Sequence, residues 1–243
     1  MLRTLLFRLA SLAIFLTLTF ITFAGQPVKK KPIKALMVGG DASHDFDRWY
    51  KIEDVKTLSE KGLAEVVYTD DPSTILEHLP QIDVLILSNN KAIPDPATRQ
   101  AIFDFLDQGK GLILLHAAIW YNWNDWPEYN RLLVGGGSRG HDKYGPFDVT
   151  VIDKKHPLMK KIPAQFNLAD ELYYHKIDPE GSSVKVLATA QMAGKAESYP
   201  SIFTVEHPKA RIVGIALGHD AASHEHPAYR TLLQNAIQWA ARR

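Results

Sequence analysis

Val84-Leu85-Ile86-Leu87, a helical pattern from Pro96 to Asp107, and Gly111-Leu112-Ile113-Leu114-Leu115 running into His116 decide the fold. Two short, uninterrupted apolar runs separated by an amphipathic helix predict parallel strands buried on both faces and joined by a right-handed crossover. The helix turns Ile102, Phe103 and Leu106 inward and closes at Gly109. The same unit precedes it. Ile33 to Val38 reads as a strand stopping at Gly39-Gly40, and Arg48 to Lys61 as a helix with Ile52, Val55 and Leu58 inward. Ala64 to Tyr68 then reads as a strand and Ser73 to Leu79 as a short helix. Downstream, Phe147 to Ile152, Val184 to Thr189, Ser201 to Val205 and Arg211 to Leu217 predict strands, and Pro227 to Ala241 a closing helix. The whole predicts an α/β domain over residues 33–243, a doubly wound, mostly parallel sheet of flavodoxin-like type.

Ahead of this domain, Arg3 and Arg8 lead into an uncharged apolar run over residues 9–24, with small residues at Thr22 and Ala24. That pattern predicts a signal peptide over residues 1–24, cleaved before Gly25, in preference to an uncleaved anchor. Residues 25–32, with three consecutive lysines and two prolines, read as a linker. A secreted, periplasmic protein without a stable membrane anchor is the expectation. In the 243 residues, 28 Lys and Arg stand against 27 Asp and Glu, so no strong field favours nucleic acid. Cysteine is absent, which excludes disulfides, thiolate metal sites and a cysteine nucleophile. No Gly-x-Gly-x-x-Gly follows a strand, and the Gly135-Gly136-Gly137 run lacks the Lys-Ser/Thr of a phosphate loop. Neither NAD nor a nucleotide is therefore expected.

Ligands of open parallel sheets bind beyond the carboxyl ends of the strands. Three predicted strands end in Gly39-Gly40-Asp41-Ala42-Ser43-His44-Asp45, in His116 and in Gly218-His219-Asp220, which places three histidines at one edge. His141, after a glycine-rich stretch, and Glu171 and Tyr173, in Asp170-Glu171-Leu172-Tyr173, lie in sequence that reads as irregular. The expected inner group is His116, His141, His219 and Glu171. It could hold a divalent ion such as Zn²⁺ or work without metal as acids and bases, and the sequence leaves both open. His44, Asp45, Tyr173 and Asp220 are expected to orient groups or bind substrate, although Asp45 could equally cap the following helix. The other histidines, at 78, 156, 175, 207, 224 and 226, read as solvated loop residues. Trp120 and Trp123, in an Asn- and Asp-bearing aromatic stretch, suit a sugar ring, or else anchor a loop.

The ordered set Gly39-Gly40-x-x-x-His44-Asp45, Gly111-x-x-x-Leu115-His116-x-Ala118, the glycine-rich run to His141, His156-Pro157, Asp170-Glu171-Leu172-Tyr173 and Leu217-Gly218-His219 resembles the ThuA-like, trehalose-utilisation family. That resemblance implies the fold of class I glutamine amidotransferases, with His116 where those enzymes carry their cysteine. It departs at Ala210-Arg211-Ile212, where Gly-Arg-Val is expected, and at Pro200-Ser201-Ile202-Phe203, where the pattern has a tryptophan. It implies a small-molecule carbohydrate of the trehalose type as partner, and the histidine and carboxylate groups make hydrolysis or elimination at a disaccharide or keto-glycoside the expected activity. A non-catalytic sugar-binding module on the same scaffold is the alternative. The oligomeric state is not legible.

Overall fold

The computed structural model describes residues 31–120 and 124–243. The expected signal peptide, nearly all of the linker and Trp123 lie outside the described residues. Pro32–Arg243 forms one compact unit. Its first strands are β1 (Ile33–Val38), β2 (Ala64–Thr69), β3 (Val84–Leu87) and β4 (Gly111–Leu115). The chain continues through β5 (Gly136–His141), β6 (Gly145–Val151), β7 (Gln165–Asp170) and β8 (Tyr173–Ile177). It closes with β9 (Val184–Met192), β10 (Tyr199–Val205) and β11 (Arg211–Ile215). The principal sheet runs β2-β1-β3-β4-β11-β10-β9-β6-β7. Pairing is parallel from β2 to β11 and antiparallel from there to β7. Its parallel part has the order of a doubly wound flavodoxin-like sheet, as expected, extended by an antiparallel wing.

The apolar runs explain the parallel part. All of Val84–Leu87 and Gly111–Leu115 is buried, and successive side chains go to opposite faces. Ile86, Ile113 and Leu115 meet Leu232, Leu233 and Ile237 of α5 (Pro227–Ala240). Leu85, Leu87, Leu112 and Leu114 share a core with Ile75 of α2 (Ile75–His78) and Ile102, Phe105 and Leu106 of α3 (Pro96–Asp107). Asp95 starts α3 by accepting from the amides of Ala97 and Thr98, and Pro96 fills the first helical position.

Three readings are corrected. The segment after β1 is π-helical over Asp47–Asp54 before it becomes α1 (Val55–Ser59). The wider winding shifts its phase, so Trp49, Tyr50 and Asp54 are buried while Ile52 is 57% exposed. The glycine-rich stretch and Tyr173 onward are not irregular: β5 and β8 pair antiparallel, with His141 opposite Tyr173. Small residues let that backbone pair closely while leaving no apolar alternation to read. Finally, His175 and His224 are not solvated; they are 2% and 1% exposed.

A candidate metal centre at the strand ends

After β4 the backbone turns sharply. His116 has φ +39°, an uncommon conformation for a residue with a side chain, and opens the short 3-10 turn His116–Ile119. Its Nδ1 lies 2.7 Å from the carbonyl oxygen of Ala216. A carbonyl only accepts, so Nδ1 carries the proton and Nε2 presents its lone pair on the other side. That buried Nε2 has no hydrogen-bond partner. His44 arrives from the loop after β1, its Nδ1 2.9 Å from Ser43 Oγ and its Nε2 likewise buried without a partner. His219 follows β11 and its Nδ1 is a third such atom. Glu171, in the tight link between β7 and β8, brings Oε2 to 3.7 Å from His116 Nε2 and 3.3 Å from His219 Nδ1.

One ligand atom from each of His44, His116, Glu171 and His219 lies within 4.8 Å of the others. Three orphaned imidazole nitrogens converging on one carboxylate oxygen are a donor set suited to Zn²⁺ or a similar ion. Tetrahedral coordination at about 2.1 Å per ligand needs ligand atoms about 3.4 Å apart, so side-chain rotation of about an ångström completes the set. The residues present fit a metal. Electrostatics agree with that chemistry at His44 and Glu171. Burial, then the neighbouring His116 and His219, press His44 down to about 3, which keeps its imidazole neutral. Burial would raise Glu171, but the imidazoles of His116 and His219 hold its carboxyl well below the usual range. Contact with Glu171 raises His219 against the opposing effect of burial.

Among the expected inner residues, His116, His219 and Glu171 come together, while His141 stands one step out and His44 takes the inner place. His141 Nδ1 is 3.7 Å from Glu171 Oε1 and 2.7 Å from the carbonyl oxygen of Asp142. Tyr173 stacks on His116 with ring centroids 4.4 Å apart. Trp120 touches both Tyr173 and His141, and a bridge to Ser138 fixes it against β5. Together with Asn90 and Ser43 these groups line a cavity of about 180 Å³ over the histidines. Asp45 accepts from the amide of Arg48, and Asp220 caps α4 (Ala221–His224) while accepting from Tyr144 Oη, so both are engaged in local structure. Larger depressions, about 570 Å³ beside Thr204–Arg211 and about 520 Å³ beside Tyr174 and Tyr199, include none of the four clustered residues in their walls.

Sequence reasoning gave Asp170 no role, although it shapes the centre. Fully buried, it accepts from the amides of Glu171 at 2.6 Å, Gly218 at 2.8 Å and His219 at 3.4 Å, and from Ser223 Oγ. One carboxylate thus ties together the two segments that carry Glu171 and His219. The only sequence signal was its place beside Glu171.

A family model described as ThuA, trehalose utilisation, matches residues 34–240. Among solved structures, a ThuA-like protein from Parabacteroides merdae is similar, with TM-score 0.74 and 23% identity, covering 87% of this chain and 90% of that one. Another from Bacteroides uniformis gives TM-score 0.74 and 22% identity over 90% and 95% of the two chains. The glutaminase domain of a Trypanosoma brucei CTPS with bound acivicin shares the fold at TM-score 0.53 and 9% identity, covering 86% and 94%. No curated protein matches the chain significantly.

Proposed function

The chain belongs to the ThuA family of trehalose utilisation, and from that premise we propose a metal-assisted enzyme acting on an uncharged carbohydrate. The observation that carries the reading is the convergence of three buried, unpartnered imidazole nitrogens on the Glu171 carboxylate. His44, His116, His219 and Glu171 are the holding residues. A bound Zn²⁺ or similar ion supplies Lewis acidity toward a carbonyl or hydroxyl oxygen. His141, at the mouth and 34% exposed in its side chain, is placed to exchange a proton through Nε2, because Nδ1 donates to the Asp142 carbonyl. Trp120 and Tyr173 offer an aromatic wall for the apolar face of a sugar ring. Among the described residues no Lys or Arg lines this cavity or the adjoining one, whose walls carry Asp41, Asp45, Asp47 and Asp70. A phosphorylated or carboxylated sugar would meet repulsion there, which favours a neutral substrate.

Hydrolysis or elimination at a disaccharide or keto-glycoside suits these groups. One takes a proton, from a water whose oxygen bonds to the anomeric carbon in hydrolysis or from the carbon beside the carbonyl as C=C forms in elimination. Another returns a proton to the leaving oxygen as the glycosidic C–O bond breaks. With no cysteine in the chain, amide hydrolysis through a thiolate is not available to it. The apolar run over residues 9–24 supports export to the periplasm. No helix among the described residues is long and apolar enough to cross a membrane.

The test is elemental analysis of protein purified without chelator, Zn²⁺ titration, and a turnover screen with oxidised and unoxidised disaccharides. We expect about one ion per chain, lost in His116→Ala, and turnover that ceases with it. Full turnover by a metal-free protein would overturn the metal centre. Sugar binding without turnover of any substrate would instead leave a binding module.

A further inference from the structure

Behind the centre lies a second buried polar cluster that the reaction does not use. Asp54, at the end of the π-helical segment, is 0% exposed, and His224, ending α4, is 1% exposed. His224 Nδ1 lies 2.8 Å from Asp54 Oδ1, and Tyr229 Oη donates to Asp54 Oδ2 at 3.0 Å. On its other side, His224 Nε2 lies 3.0 Å from the carbonyl oxygen of Gly218, which also accepts from Tyr50 Oη at 2.6 Å. A carbonyl cannot donate, so Nε2 bears a proton directed at Gly218. Burial works against a charged His224, yet the Asp54 carboxylate and the Gly218 carbonyl outweigh it and raise its proton affinity. Trp49 stacks parallel to the imidazole, at 5.8 Å between centroids, and closes the remaining side.

Gly218, the residue immediately before His219, is therefore gripped at both ends. Its carbonyl takes two hydrogen bonds from this cluster, and the Gly218 amide gives one to Asp170. Gly218 has φ +137°, a conformation that backbone alone would leave readily, so the grip determines where the next side chain points.

We propose that Asp54 and His224 are positioning residues: hydrogen-bonded to each other, they clamp the Gly218 carbonyl and thereby aim His219 into the metal centre. The inference rests on the reading of that centre as a metal site. A buried polar pair contributes little net stability over apolar packing, so holding a fixed geometry is the more economical account of this one. Partners behind a metal ligand typically alter affinity by 10–100-fold when removed.

The test uses the full chain and two readouts. The first is Zn²⁺ affinity by competition with a chromophoric chelator. The second, needing no metal, is hydrogen exchange at the amides of Gly218 and His219. His224→Phe keeps a ring against Trp49 but removes both donors. We expect Zn²⁺ affinity to fall 10–100-fold and exchange at Gly218 and His219 to quicken at least tenfold, with exchange in α5 unchanged. Asp54→Asn should follow in the same direction. His224→Gln, which can still donate to Gly218, should recover part of both losses, whereas His224→Asn, too short to reach it, should not.

Wild-type affinity and local exchange in His224→Phe would overturn the clamp, as would equal behaviour of the Gln and Asn variants. If the substitutions at 224 prevent folding, Tyr50→Phe decides, since it deletes one hydroxyl that donates to the same carbonyl. A three- to tenfold loss supports the clamp and no change overturns it. A wild-type protein that binds no Zn²⁺ but shows the exchange pattern would refute the metal reading and leave the clamp standing.

Discussion

Gly218→Ala is the sharpest perturbation the geometry offers, because it adds one methyl group at the point where the centre's supports meet. A Cβ there would lie 3.0 Å from Tyr50 Oη, 3.2 Å from His116 Cβ and 3.5 Å from Tyr229 Oη. Tyr50 cannot swing aside without giving up its 2.6 Å hydrogen bond to the Gly218 carbonyl. His116 is equally fixed by Ala216 and by its own φ of +39°. The φ of +137° at Gly218 adds backbone strain of about 1–3 kcal/mol for alanine. Overpacking against two immobile neighbours adds about 1–3 kcal/mol more. The sum, about 2–6 kcal/mol, corresponds to roughly a 4–24 °C fall in Tm for a domain of this size. Thermal unfolding by circular dichroism reads the stability, and chelator competition reads Zn²⁺ affinity, which should fall at least tenfold because His219 is displaced with its peptide. A variant within 1 °C of wild type and with unchanged Zn²⁺ affinity would refute the argument that this peptide is rigidly held.

Two further outcomes follow from buried polar groups. His175 packs against Phe203 with both ring nitrogens buried and unpartnered, and burial lowers it to about 4. Its folded value lies below the unfolded one, about 6.5, so stability is whole above pH 6.5 and lost as pH falls toward 4, by about 3 kcal/mol at most. His175→Phe should flatten that part of the stability–pH curve by denaturant unfolding and match or exceed wild type at pH 7; an unchanged slope would contradict it. Asp170→Asn turns an acceptor of four hydrogen bonds into a group with two N–H donors among other donors, which should cost about 2–4 kcal/mol and reduce Zn²⁺ affinity more than tenfold. Loss of stability with Zn²⁺ affinity intact would show that Asp170 only supports the fold.

The parallel half of the sheet was legible because each of its central strands is buried on both faces and so must be apolar throughout, as Val84–Leu87 and Leu112–Leu115 are. The edge that gathers His44, His116 and His219 was legible for a related reason, since parallel strands all end on the same side. Chain order, however, carries no information on radial order. His44 from the loop after β1 takes the inner place expected of His141, because His141 is held at the end of β5 in the β5–β8 ribbon, and the glycines of β5 hide that strand. The π-helical turn hid the rest: by shifting the phase it buried Asp54, a residue that helical spacing assigns to no apolar face.

The centre's supports escape periodicity altogether. Tyr50 reaches Gly218 across 168 residues, Asp54 reaches His224 across 170, and Asp170 reaches Gly218 across 48. Hydrophobic patterning reports what each element does for the core, and these contacts do nothing for it. Two carboxylates and a histidine are buried around one peptide at a desolvation cost that apolar side chains would not incur. Such a cost persists where the geometry it enforces matters, and what these groups enforce is the approach of His219 to His44, His116 and Glu171. That placement is what the metal reading of the four-residue cluster requires, and it accounts for burying Asp54 and His224 against the residue that precedes His219.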